Sequence, residues 1–120
     1  MSGHLGYSIT PVPATNVSMN IGETTQIVSS GTLTYGTWLI IGYVSITGTT
    51  VAGTVYAWIG DNTVLYANRK TECQMILGSG DPFVSTLSYV GTGTGPFLLV
   101  AQANGSNSTG EGKIYCTRIA

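Results

Sequence analysis

The stretch Gly36-Thr37-Trp38-Leu39-Ile40-Ile41-Gly42-Tyr43-Val44-Ser45-Ile46-Thr47 decides the fold class. The alternation of a strand puts Trp38, Ile40, Gly42, Val44 and Ile46 on one face and Leu39, Ile41 and Tyr43 on the other. Both faces are apolar. A strand at the surface of a monomer is polar on its outer side, so this one is either central in a two-layer sandwich or covered by another subunit. Phe97-Leu98-Leu99-Val100 shows the same doubling.

The rest of the chain reads the same way. Of its 120 residues, 49 are Val, Ile, Thr, Tyr, Phe or Trp, against 10 Glu, Lys, Arg or Met, so the strand-favouring types dominate. Strands are predicted near 24–29, 37–47, 51–59, 63–68, 73–77, 83–90, 97–104 and 113–119, separated by Gly-containing turns as in a sandwich or closed barrel. Gly60-Asp61-Asn62 reads as a tight hairpin turn joining 51–59 to 63–68, because these residues tolerate positive φ. Residues 1–22 read as an irregular N-terminal arm with short extended pieces, in which Pro11 and Pro13 block a helix or central strand, and 23–120 as one β-sandwich domain.

Charge excludes some partners. The net charge is −1, and Arg69, Lys70, Lys113 and Arg118 are the only basic residues, too few to track a phosphate backbone. No nucleic acid partner is expected. The longest apolar stretch, Trp38 to Ile41, is strand-sized, and with no leader pattern at Met1 neither export nor membrane insertion is expected. Cys73 and Cys116 fit a disulfide or a reduced pair equally well.

No catalytic constellation emerges. His4 is the only histidine, so a nucleophile–histidine set or a His-rich metal site would need the arm. Glu23, Asp61, Glu72, Asp81 and Glu111 are scattered, mostly at predicted turns. Gly91-Thr92-Gly93-Thr94-Gly95 lacks the spacing and following helix of a phosphate loop and reads as a turn or mobile loop. Three Asn-x-Ser/Thr triplets, at Asn16, Asn104 and Asn107, are chance matches in a Ser- and Thr-rich chain. Trp38 reads as core, while Trp58 is open between core and a sugar-stacking platform. The expectation is a protein without enzymatic activity, cofactor or metal.

Gly36-Thr37-Trp38 through Ile46, Gly95-Pro96-Phe97 through Gly105, and Gly112-Lys113-Ile114-Tyr115-Cys116-Thr117-Arg118-Ile119-Ala120 together resemble the head domains of bacteriophage fibres and related virion proteins of the tumour-necrosis-factor/complement-globular-head jelly-roll family. The resemblance spans roughly residues 24–120. It implies a jelly-roll sandwich of two antiparallel sheets with about eight to ten strands, packed as a homotrimer with Leu39, Ile41, Tyr43 and Tyr115 at the interface. A chain starting at Met1 with only a short arm fits a capsid decoration or head-spike protein, located in the virion after synthesis in the host cytoplasm, better than a distal fibre tip. Leu5, Tyr7, Ile9, Pro11 and Pro13 would then dock on the major capsid protein or other virion proteins. The alternative is a receptor-binding fibre head or lectin-like module that binds host surface glycans with a nearby Tyr or Trp, either through the loop Asn104–Glu111 with Asn104 and Asn107 or through the loop Gly91–Gly95 with Thr92 and Thr94.

Overall fold

The computed structural model describes residues 6–9, 13–61, 69–78 and 80–120. Eight strands carry the fold: β1 (Ala14–Met19), β2 (Thr25–Ser29), β3 (Gly36–Thr47), β4 (Gly53–Gly60), β5 (Arg69–Leu77), β6 (Phe83–Gly93), β7 (Leu98–Ala103) and β8 (Ser108–Arg118). They form two four-stranded sheets, β1-β8-β3-β6 and β2-β7-β4-β5, with every neighbouring pair antiparallel. The pairs β1–β8, β2–β7, β3–β6 and β4–β5 nest inside one another, as when one long hairpin is rolled up so that successive rungs fall in alternate sheets. That connectivity is a jelly roll.

The alternation in β3 sorts its side chains as expected. Trp38, Ile40, Val44 and Ile46 are wholly buried between the sheets. They meet Ile114 and Cys116 of β8, Phe83 and Leu87 of β6, and Val55, Ala57, Ile59, Leu99 and Ala101 of the second sheet. The sheets press together so closely near the start of β8 that two of its inward positions hold glycine. A Cβ on Gly110 would come within 2.7 Å of Ile27 Cδ1, and one on Gly112 within 2.6 Å of the Tyr43 carbonyl and 2.9 Å of Leu99 Cδ2.

Several expectations are corrected. One extended piece of the arm is longer and better paired than expected: Ala14–Met19 is the edge strand β1, ending in the buried Met19. An edge position is where a strand next to Pro13 is tolerated, and a register shift between Ala14 and Val17, with Asn16 at φ 54°, interrupts it. Upstream, Gly6, Tyr7 and Ile9 are tied to the end of β8 by Gly6 N–H to Arg118 O, Arg118 N–H to Tyr7 O and Ile9 N–H to Cys116 O bonds of 2.7, 2.8 and 3.1 Å. The β4 ladder runs from Gly53 opposite Leu77 to Gly60 opposite Arg69, which is incompatible with a tight turn at Gly60-Asp61-Asn62. The predicted strand 63–68 lies outside the described residues. Gly91, Thr92 and Gly93 belong to β6, because only glycine fits where a Cβ on Gly91 would sit 2.7–2.8 Å from the rings of Tyr89 and Phe97. Finally, β8 starts at Ser108, five residues before the predicted strand, its Gly-Glu-Gly run being a tightly packed strand and not a loop.

Candidate interaction face

The outward face of the first sheet collects the residues that the core leaves over. In register, Ile41 lies between Ser88 and Tyr115, Leu39 between Val90 and Thr117, Tyr43 between Thr86 and Lys113, and Ser45 between Val84 and Glu111. Leu39, Ile41, Tyr43 and Tyr115, expected at an interface, are thus brought onto one surface. Ile41, Tyr43 and Tyr115 remain 36–41% exposed, and Val84 and Val90 52–54%. The two valines were missed because β6 taken alone reads as a polar-alternating edge. The signal is their spacing of six, an even number that places both on the face opposite Leu87.

No charged residue stands on the outward rows of β3 and β6. The face is bounded on the β8 side by Glu111 and Lys113, two residues apart on one strand. There an open groove of about 290 Å³ is lined by Pro13, Ala14, Thr15, Tyr43, Glu111, Gly112 and Lys113. The structure therefore joins Pro13 of the expected docking set to Tyr43 of the expected interface set.

The remaining candidates do not converge. Leu5 and Pro11 lie outside the described residues, as does His4. Tyr7 and Ile9 pack against the domain's own core, Tyr7 edge-on to Trp38 with ring centroids 6.4 Å apart. Both are half-buried, so part of their apolar surface is spent on the domain's own core. Thr92 and Thr94 lie at the Gly36 end of β3, with Thr92 Oγ1 2.9 Å from Thr37 Oγ1 and the Thr94 carbonyl accepting from Leu33 N–H at 2.7 Å. Asn104 and Asn107 lie at the opposite end, their side-chain oxygens accepting from Gln102 Nε2 at 2.9 Å and Ile21 N–H at 2.8 Å. A strand as long as β3 separates the two loops by roughly 35 Å, so they do not form one ligand site.

Trp58 is fully buried with Leu98 and Val100 in a second cluster on the outer side of the other sheet. It is core, not a platform for a sugar ring. Cys116, on β8 beside Ile40 of β3, is buried between the sheets, and burial pushes its thiol up from 9.0 to about 12. Cys73 is half-buried and donates to Ser85 Oγ at 3.3 Å, and both cysteines are free thiols. Among the described residues, no three His, Cys, Asp or Glu side chains are grouped to hold a metal ion, and no helix is long and apolar enough to cross a membrane.

No family model and no curated protein sequence matches the chain. Its likeness is to solved structures. A chain of the infectious bursal disease virus Gx strain superposes on 92% of this chain with a TM-score of 0.53 and 13% identity, and this chain spans only 34% of that one. A chain of the Bacillus endospore appendages, a family of disulfide-linked pili, matches all of it and 95% of its own length, with a TM-score of 0.51 and 10% identity. At such identities the likeness is one of fold, and it agrees with the jelly roll traced from the strand order.

Proposed function

We propose that the chain is a structural virion protein of the bacteriophage decoration or head-spike kind, acting as a homotrimer whose copies meet through the outward face of the first sheet. The observation that carries this reading is the face itself, where Leu39, Ile41, Tyr43, Val84, Val90 and Tyr115 stand outward with no charge on two adjacent strands. With β3 about 40 Å long and four strands about 4.8 Å apart, the face measures on the order of 700 Å², close to the ~800 Å² per partner of a stable interface. The fold likeness to a virus chain supports the setting. Contact with the coat protein is left to the segment before β1, of which Pro13 already faces the groove.

Such a protein works without chemistry. It buries surface between copies and against the particle, and three linked copies raise the effective concentration of each particle contact. The test is the mass in solution by light scattering, followed by co-sedimentation with capsids assembled from the coat protein of the same virus. Three copies that pellet with capsids are expected. A trimer indifferent to capsids would remove the decoration role in favour of a receptor-binding head, and a monomer would remove the trimer as well.

A further inference from the structure

Each sheet of the sandwich has two edges, and the four edge strands are not alike. Edges with unpaired N–H and C=O groups invite pairing with another chain, and proteins blunt them with short strands, bulges, prolines or charges. β1 has six residues, follows Pro13 and carries a register shift at Asn16. β2 has five residues and a shift between Gln26 and Val28. β5 brings Arg69, Lys70 and Glu72 to its edge.

β6 has none of these devices. Its eleven residues, Phe83 to Gly93, contain no charge and no proline. They pair with β3 without a break from Gly36 opposite Gly93 to Ile46 opposite Phe83, and no described strand lies on the other side. The strand is therefore in register over its whole length, as a pairing template must be.

We infer that β6 pairs with β6 of a second copy of this chain, antiparallel about a two-fold axis at Leu87, joining the two first sheets into one of eight strands. Self-pairing is the solution that the sequence of β6 itself fits. With Leu87 opposite Leu87 of the second copy, Val84 falls opposite Val90 and Thr86 opposite Ser88 on the outward face, and Ser85 falls opposite Tyr89 on the inward face. Apolar meets apolar, hydroxyl meets hydroxyl and small meets large, the cross-strand combinations that stabilise antiparallel pairs. Moving the axis to Ser88 sets Val84 against Thr92 and loses the match. The contact is isologous, so it closes with two copies. It does not depend on the trimer, and if both contacts form, it joins trimers in pairs.

The test is light-scattering mass across a dilution series for the full chain and three double variants. Val84→Lys/Val90→Lys places like charges opposite each other and abolishes the β6 contact, which halves the mass of a two-copy wild type and, because both valines also stand on the face assigned to the trimer, lowers that of a six-copy wild type to half or less. Val84→Lys/Val90→Glu sets the introduced lysine of each copy opposite the introduced glutamate of the other, twice per contact, and brings back at least the two-copy mass. Positions 84 and 90 lie about 20 Å apart within one strand, so the two charges cannot satisfy each other in the same chain. Val84→Thr/Val90→Thr, uncharged and strand-compatible, weakens the pairing at least tenfold without repulsion. Both positions are more than half exposed, and an unchanged melting temperature under dilution to the monomer shows that each variant folds. The inference is overturned if the wild type contains an odd number of copies, if the double lysine variant keeps the wild-type mass, or if the lysine–glutamate variant has no more mass than the double lysine variant. A wild-type trimer would overturn it and leave the proposed function standing, whereas a two-copy wild type that loses its mass in the double lysine variant would sustain it and remove the trimer.

Discussion

Cys116 shows what burial does to one residue. Its thiol sits between the sheets, beside Ile40 of β3 and in the core cluster with Trp38 and Ile114, where a thiolate would lack solvent, and it is held neutral up to about pH 12. The unfolded chain ionises the same group near its ordinary value of 9.0. Below that pH both states carry the proton and the thiol adds no pH dependence. Between 9 and 12 the unfolded state loses its proton while the folded state keeps it, so stability falls with rising pH by up to roughly 1.4 kcal/mol per unit. Denaturant melts from about pH 8 to 11 on the wild type and Cys116→Ala are expected to differ in slope by that one proton, with the alanine variant shallower. Alkylation near pH 8 of the native protein is expected to label Cys73 and spare Cys116, since the thiolate is the nucleophile. The same residue scale explains Trp58. Alternation placed it beside the inward-facing Ile59 and so on the outer face, where sequence cannot say what covers it, and only the structure shows it sealed against Leu98 and Val100. Trp58→Ala is expected to cost about 3–5 kcal/mol of stability, read by urea denaturation.

Among the elements, β3 was legible because its period-two pattern has large apolar residues on both faces, and its edges were found to within a residue. β1 and the first half of β8 were not, for opposite reasons. β1 is an interrupted edge strand whose residues Thr15, Asn16 and Ser18 look like loop, and whose pairing energy comes from a partner more than ninety residues away in the chain near Ala14. In β8 the run Gly110-Glu111-Gly112 looks like a turn in sequence, yet its glycines are there because Ile27, Met19 and Leu99 occupy the space of their side chains. Gly112 is the sharper case, since backbone as well as side chain blocks it. Gly112→Ala is expected to destabilise by about 1–3 kcal/mol through overpacking, lowering the melting temperature by roughly 5–10 °C. Glu111→Ala, next to it but outward and exposed, is expected to change stability by no more than about 0.5 kcal/mol. Differential scanning calorimetry on the two variants separates a packed strand from a loop, because a loop would tolerate both.

At the scale of the whole molecule, the question is what becomes of an apolar face that one sandwich cannot cover. The second face of β3 was visible in sequence as Leu39, Ile41 and Tyr43, but its extent was not, since the strands that complete it are set by the jelly-roll register and not by proximity in the chain. Burying this face removes apolar surface and few charges, which fixes how the association responds to conditions. Salt screens exposed charges that lie farther apart than about a Debye length, ~3 Å at 1 M ionic strength. Raising sodium chloride from about 0.1 to 1 M is therefore expected to leave the assembly intact, while ammonium sulfate strengthens it. An interface held by Glu111 and Lys113 alone would dissociate under the same treatment. Ile41→Lys puts a charge at the centre of the face, between Ser88 and Tyr115. Losing the buried isoleucine forfeits about 1.5–3 kcal/mol per copy before the desolvation of the lysine is counted, which weakens association by at least about tenfold. Because Ile41 points away from the core, the monomer's melting temperature is expected to hold within a few degrees. Sedimentation equilibrium on Ile41→Lys and wild type at matched concentrations reads the association, and a thermal melt of each at monomer dilution reads the fold. A variant that dissociates yet melts like wild type assigns the face to association, and one that keeps its mass means that the face is left open to water.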